Sequence, residues 1–428
     1  MSDYERIRVL FCDHLNLARG KYVPRALAES GTLRHCIGVY AVDYERALIP
    51  APGSGIPEGL PDMEAAFDLD RVRPGWEPGT GVVVADLEKG GQPLALCARG
   101  ALARAIAAWQ QADLTPFLGI ELEAFVFERD SSGDWVPYDT PGAYVYGTGA
   151  AVDPAGLVDD IWSQAQACGF PVEAINSEFD WPQFEFTLRY RDALGAIDDI
   201  FLFRLMAREV AAKRGYLLTF MPKPLSDRGG SGVHLNLSFT DLGGDNALAD
   251  PAQEDGLSEL ARHCIAGLMH HHRSMAGLIA PTVNSYRRLR PASLAGYWAN
   301  WGYDHRGVAV RVPGERGPGT RIEHRVADGA ANPYVAAAAM LQAARLGVEK
   351  GYPLPPAETG DGLESVDTDV TVPENLGAAL DALEQDGALV SAIGELLIAN
   401  HIGIKRKEWD DYLGSTTDWE MSRYLNFL

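Results

Sequence analysis

Five short segments between Leu118 and Val326 alternate apolar and polar residues with a period of two, and Lys is absent from all of them. In LGIELEAFVF, Glu121 and Glu123 share one parity while Ile120, Leu122, Ala124 and Val126 take the other. WPQFEFTL sets Gln183, Glu185 and Thr187 against Phe184, Phe186 and Leu188, and GVHLNLSF sets His234, Asn236 and Ser238 against Val233, Leu235, Leu237 and Phe239. GVAVRVP adds Arg311, and GTRIEHRVAD adds Arg321, Glu323 and Arg325. Successive strand residues point to opposite faces, so each segment presents one apolar face and one charged face. A wet antiparallel sheet explains one such strand, but five that carry Glu, Arg and His point to a site built on a sheet.

Carboxylates gathered on one face repel each other unless cations neutralise them. Oxygen ligands with at most one imidazole suit Mg²⁺ or Mn²⁺ and argue against zinc or copper. The neighbouring arginines imply an anion with several oxygens, because a guanidinium matches carboxylate or phosphate bidentately. Metals beside arginines suggest phosphoryl transfer, which rests on positioning and charge neutralisation. No G-x-x-x-x-G-K-[ST] occurs, which excludes a P-loop enzyme.

With 428 residues, 46% of them hydrophobic, the chain can bury a core large enough for two domains. Lys and Arg total 37 against 59 Asp and Glu, a net charge of −22 that disfavours nucleic acid and anionic membrane as partners. The five cysteines are scattered and never spaced C-x-x-C, which fits a reducing cytoplasm better than a disulfide framework. No apolar run approaches the roughly 18 residues of a membrane span, and no leader opens the chain.

Residues 1–97 suggest short strands broken by turns, with a loop over Ile49 to Asp62, and the period changes to 3.6 at Ala98. The boundary is therefore placed between a small N-terminal domain, 1–97, and a larger one, 98–428. Asp153-Pro154 and Asn332-Pro333 each predict a capped helix start. Helices are also expected over Asp192 to Arg214 and Pro251 to Ile279, and two more between Pro373 and Asp411. His270, His271 and His272 cannot converge on one ion from a helix, so surface or interface packing is expected of them.

MPKPLSDRGGSGVHLNLS, NSYRRL, RIEHRVADGAANPY and the pair ELE with SEFDWPQFE resemble, in order, motifs of the glutamine synthetase superfamily; the tail from Lys405 resembles members that ligate glutamate to amines. The resemblance implies an α+β fold, with a small β-grasp-like N-terminal domain and a catalytic domain around a curved antiparallel sheet. It implies ATP, two or more Mg²⁺ or Mn²⁺ ions per site, and a homo-oligomer, most simply a dodecamer of two hexameric rings. By the same resemblance Glu123, Glu178 and Glu185 are ligands of a first metal, and Glu121, His234 and Glu323 of a second. Gly230 and Glu123 stand near the amino group of glutamate or an analogue, Arg288 on its α-carboxylate and Arg325 on its side-chain carboxylate. Arg306, Arg311 and Arg321 neutralise phosphates, Glu173 and Ser238 touch the nucleotide, and Tyr190 stacks near adenine.

The sequence departs from the ammonia-using members in one place above others. Their flap carries a Glu for ammonium, whereas LRPASLAG has Leu294 there. A desolvated ammonium needs an anionic partner, so an amine larger than ammonia is the expected acceptor. The N-terminal acidic element of an ammonium pocket has no clear match beyond Asp43 or APGSG at Ala51 to Gly55. Gly229 replaces an Asn common beside the amino acid, which leaves a glutamate analogue open as the acid. Glutamine synthesis from ammonia and a non-catalytic role stand as alternatives.

Overall fold

The computed structural model describes residues 4–364 and 366–428. Its centre is a nine-stranded sheet in which seven strands run in the order Val172–Ser177, Gln183–Asp192, Thr115–Arg129, Val233–Thr240, Ile322–His324, Val310–Val312 and Trp301–Tyr303. Two short strands, Trp135–Pro137 and Leu217–Thr219, extend the far end of Thr115–Arg129. The sheet is antiparallel as expected except at its edge, where Trp301–Tyr303 pairs parallel with Val310–Val312.

The apolar parity of these strands is buried. Leu118, Ile120, Leu122 and Ala124 pack with Phe184, Phe186, Leu235 and Leu237 in one large core. Helices Ala98–Gln110, Ala193–Lys213 and Pro333–Lys350 close that core, and Trp109 lies 4.3 Å from Phe239 between ring centroids. Asn332 caps the last of these helices by accepting from Tyr334 N and Val335 N, as Asn-Pro predicts.

The N-terminal segment forms two four-stranded sheets. In one, Arg6–Cys12 pairs antiparallel with Ala18–Pro24 and parallel with Thr80–Val84; in the other, Asp62–Ala66 lies between Thr32–Cys36 and Asp86–Lys89. Ile7, Val9, Phe11, Met63 and Leu87 share a core of their own, while Leu10, Cys12, Trp76 and Val82 join the large one. Strand alternation thus gives this unit one face for itself and one for its neighbour.

Three helix expectations need correction. Asp153-Pro154 begins a turn, and the helix starts at Leu157; the Asp153 carboxylate accepts from Val158 N and Tyr138 Oη, so it serves the turn and the helix together. Pro251 to Leu257 is irregular, and helix Glu259–His270 starts behind Ser258 before a break at His271 leads into His272–Ile279. The tail holds helices Leu376–Gln385, Gly387–Ile393, Glu395–Gly414 and Asp418–Tyr424, because Asp386 and Gly394 interrupt what looks like a shorter series. His270 is exposed as expected, but His271 and His272 are each 1% exposed, since Asp386 and helix Leu376–Gln385, from distant sequence, pack over this stretch. Among the described residues no single helix is long and apolar enough to cross a membrane.

Candidate active site

Cross-strand register assembles the charged face. Glu185 stands opposite Glu123, Thr187 and His234 opposite Glu121, and Asn236 and Arg311 opposite Glu323. Directly opposed residues in antiparallel strands project from the same face about 5 Å apart. Residues up to 202 positions apart in sequence, from Glu121 to Glu323, are thereby brought to one centre.

His234 is the hub. Its Nδ1 lies 3.0 Å from Glu121 Oε2 and 3.7 Å from Glu323 Oε1, and its Nε2 lies 3.7 Å from Glu123 Oε1. Two groups result, Glu121 with His234 and Glu323, and Glu123 with Glu185 and His234, each with candidate ligand atoms within 4.8 Å of one another. Glu178 adjoins them at the turn between Val172–Ser177 and Gln183–Asp192, where burial and the charge of Glu123 push its carboxyl up.

The carboxyls do not titrate alike. Burial alone would raise Glu121, but hydrogen bonds and charge from His234, with Asn236 and Arg325, hold it down at about 2. Glu185 is pushed up to about 8, first by burial and then by the charges of Glu121, Glu178 and Glu123. Such crowding is relieved by divalent cations, and a donor set of carboxylates with one imidazole fits Mg²⁺ or Mn²⁺.

Guanidinium groups flank the carboxylates. Glu323 is fully buried and accepts from Arg311 Nη1 at 2.7 Å and from Arg325 Nη1. Arg311 Nε and Arg325 Nε are buried with no hydrogen-bond partner among the described residues, which fits a bound anion at this wall. Arg321 Nε donates to Asn236 Oδ1 at 3.3 Å, and Asn236 in turn donates to Glu121. Arg306 is exposed, with its charge felt at Glu185.

The glycine-rich loop has a packing reason of its own. A Cβ on Gly230 would fall 2.6 Å from Pro222 O and 2.8 Å from Arg288 Cγ, and one on Gly232 would fall 2.6 Å from Arg288 Nη2. Only glycine lets the loop close over this side chain. Arg288 is 6% exposed, burial pushes its pKa down, and it donates to Val326 O at 2.8 Å and Arg325 O at 3.2 Å.

Other expected site residues lie farther out. Ser238 is partly buried opposite Phe117, and Tyr190 is 64% exposed with its ring 6.3 Å from that of Phe117. Glu173 is exposed on the edge strand, at a register shift between Val172 and Ala174. Leu294 is 58% exposed on a turn. Two contributions escape the sequence reading. Asp304 pairs with Arg311 from a turn, and Gln183 hydrogen-bonds Glu123; parity singles out Gln183 but does not say what it touches.

A family model described as the catalytic domain of glutamine synthetase matches residues 95–424. The chain belongs to the glutamine synthetase family. It is 35% identical to the glutamine synthetase of Methanococcus maripaludis over 78% of this chain and 76% of that one, and 33% identical to that of Thermococcus kodakarensis over 89% and 90%. A solved structure of GmaS without ligand superposes with a TM-score of 0.86 at 30% identity, covering 99% of this chain and 97% of GmaS; GmaS in complex with ADP does so equally. Like other glutamine synthetase family members the protein is an ATP-dependent ligase, and its acid and histidine clusters suit the divalent metals that the family uses.

Proposed function

We propose that this glutamine synthetase family member joins the γ-carboxylate of glutamate, or of a close analogue, to an amine larger than ammonia. The observation that carries the reading is Leu294. From Arg290 to Gly296 the segment is Arg-Pro-Ala-Ser-Leu-Ala-Gly, without a carboxylate, and the family resemblance aligns Leu294 with the flap Glu of ammonia-using members. Ammonium is strongly hydrated, and stripping it of water without an anionic partner costs several kcal/mol. An apolar side chain leaves room for an alkyl or aryl group instead. The likeness to GmaS over 99% of the chain supports the same reading.

In this reading Glu123, Glu178 and Glu185 hold one Mg²⁺ or Mn²⁺, and Glu121, His234 and Glu323 hold another. Such ions supply charge neutralisation at the phosphates. Arg288 and the backbone at Gly230 orient the amino acid, with Arg325 on the carboxylate that reacts. That carboxylate attacks the γ-phosphorus of ATP, ADP leaves, and the amine then displaces phosphate from the γ-glutamyl phosphate to form the amide. Arg306, Arg311 and Arg321 offset charge on the transferring phosphoryl oxygens. Glu173, Tyr190 and Ser238 line the nucleotide's base and sugar, and the active unit is a cytoplasmic homo-oligomer, most simply a dodecamer.

Glutamine synthesis from ammonia is the second reading, favoured by relatives such as the 35% identical archaeal glutamine synthetase. The test incubates the protein with ATP, Mg²⁺ and glutamate against ammonia, methylamine, ethanolamine, putrescine and an aromatic amine, with products weighed by mass spectrometry. Amides of larger amines are expected. Leu294→Glu is expected to raise the use of ammonia relative to them, and no such rise means that Leu294 does not set the acceptor.

A further inference from the structure

Gln183 is 4% exposed and belongs to none of the roles described above. Its amide nitrogen donates twice, to Glu123 Oε2 at 2.9 Å and to the carbonyl of Gly230 at 3.0 Å. Both partners accept only, so the orientation of the amide is forced. Glu123 Oε2 also accepts from Gly232 N at 2.8 Å, and Glu123 N donates to Gly232 O at 3.1 Å. One carboxylate oxygen is thus held by two donors, and Oε1 is the oxygen that faces His234 Nε2.

We propose that Gln183 is a positioning residue that locks the Gly229–Gly232 loop to Glu123, so that one amide sets both the metal-facing carboxylate oxygen and the amino-acid loop. The inference rests on the proposed roles of Glu123 and Gly230. Two further hydrogen bonds tie the neighbouring turn to this strand and to the glycine loop. Glu178 N donates to Gln183 O at 2.9 Å and closes the turn bearing Glu178. Asp180 of that turn accepts from Gly229 N. A Cβ on Gly229 would come within 3.8 Å of Gln183 Oε1. Without the amide's two protons, Glu123 Oε2 keeps Gly232 N as its only hydrogen-bond donor among the described residues, and the Gly230 carbonyl loses its partner in a partly buried setting, which frees both to move.

The test compares Gln183→Glu, isosteric but unable to donate twice, with Gln183→Met, which matches the volume without charge. Mn²⁺ is titrated into metal-stripped full-length protein without substrates, and KM for glutamate, KM for ATP and kcat are measured separately. Both variants are expected to weaken Mn²⁺ binding about tenfold or more, in the range typical of partners behind metal ligands. KM for glutamate should rise by a similar factor while KM for ATP stays within about twofold, a split that a general loss of structure does not produce. Mn²⁺ affinity within about twofold of wild type in a folded Gln183→Met protein overturns the proposal, as does an equal loss for glutamate and ATP. If wild type makes no amide from glutamate, the functional reading fails while the Mn²⁺ titration still decides the role of Gln183.

Discussion

Glu185 stands directly opposite Glu123 across two antiparallel strands, so two carboxylates share one cross-strand site. Like charges so placed destabilise a sheet unless something neutralises them. In the protein alone Glu185 is pushed up to about 8, above its ordinary 4.5, by burial and by three neighbouring carboxylates. A raised folded value means that this group favours the fold most below pH 4.5 and loses that contribution as pH rises through about 8. Metal requires the ionised form. Mg²⁺ or Mn²⁺ uptake at pH 7 is therefore expected to release roughly one proton per chain, measured in weakly buffered solution, and apparent affinity should climb with pH up to about 8. Glu185→Gln should remove most of the release, with Glu178, also pushed up, supplying any remainder.

Glu323 sits between two guanidinium groups and is itself fully buried. Removing its charge with Glu323→Ala strands the buried Arg325 and leaves Arg311 with Asp304 alone, at a cost of about 3–5 kcal/mol in urea unfolding. Glu323→Gln keeps the shape and should cost less. The two binding equilibria should then move in opposite directions. ADP without metal is expected to bind Glu323→Gln more tightly, because the wall gains net positive charge, while Mn²⁺ binds about tenfold or more weakly. Calorimetry on one preparation measures both.

The face on which each functional side chain lies was legible in the sequence, because parity is a local property with a period of two. Which residue stands opposite which was not, since register depends on pairing between strands far apart in the chain. Thus Glu121, Glu123, Glu185, His234 and Glu323 can be picked out in advance, but not that His234 lies between the two strand-mates Glu121 and Glu123. The resemblance marks Gly230 beside the amino acid, yet the side chain that the loop closes over, Arg288, lies 56 residues beyond Gly232. Helix starts misled where one Asp serves two purposes, as Asp153 does. The histidine run misled because helical geometry fixes where three neighbours point but not what covers them.

Asp386 is such a cover. It interrupts the C-terminal helices, and its Oδ2 accepts from His271 Nδ1 and from Ser274 Oγ, each at 2.5 Å, while Oδ1 caps the next helix through Leu389 N. Burial would raise its carboxyl, but these hydrogen bonds hold it at about 2, below the ordinary 3.8. A depressed folded value contributes stability that is present above pH 3.8 and lost as pH falls toward 2. Asp386→Ala should cost roughly 2–4 kcal/mol at pH 7, a cap together with unpaired buried donors. The gap between variant and wild type should narrow between pH 4 and 2, read from urea midpoints.

His272 and His401 behave in a different pH window. Burial pushes them down to about 4 and about 3, so both are neutral in the folded protein at pH 7. His272 Nε2 lies 3.3 Å from Tyr297 O, and its Nδ1 has no hydrogen-bond partner among the described residues; His401 Nε2 lies 2.8 Å from Gly277 O. Each ring spends its one N–H on a backbone carbonyl, and a second proton would be buried beside a like charge, Arg273 for His272 and Lys405 for His401. The unfolded chain takes that proton near pH 6.5, so it binds protons first and the stability these groups allow declines as pH falls from 6.5 to about 4. Gln can donate to the same carbonyl without titrating. Relative to wild type, His272→Gln should gain about 1 kcal/mol per pH unit between pH 6 and 4.5, whatever its offset at pH 7. A constant difference across that range would show that His272 is already protonated in the folded protein, or that water reaches it.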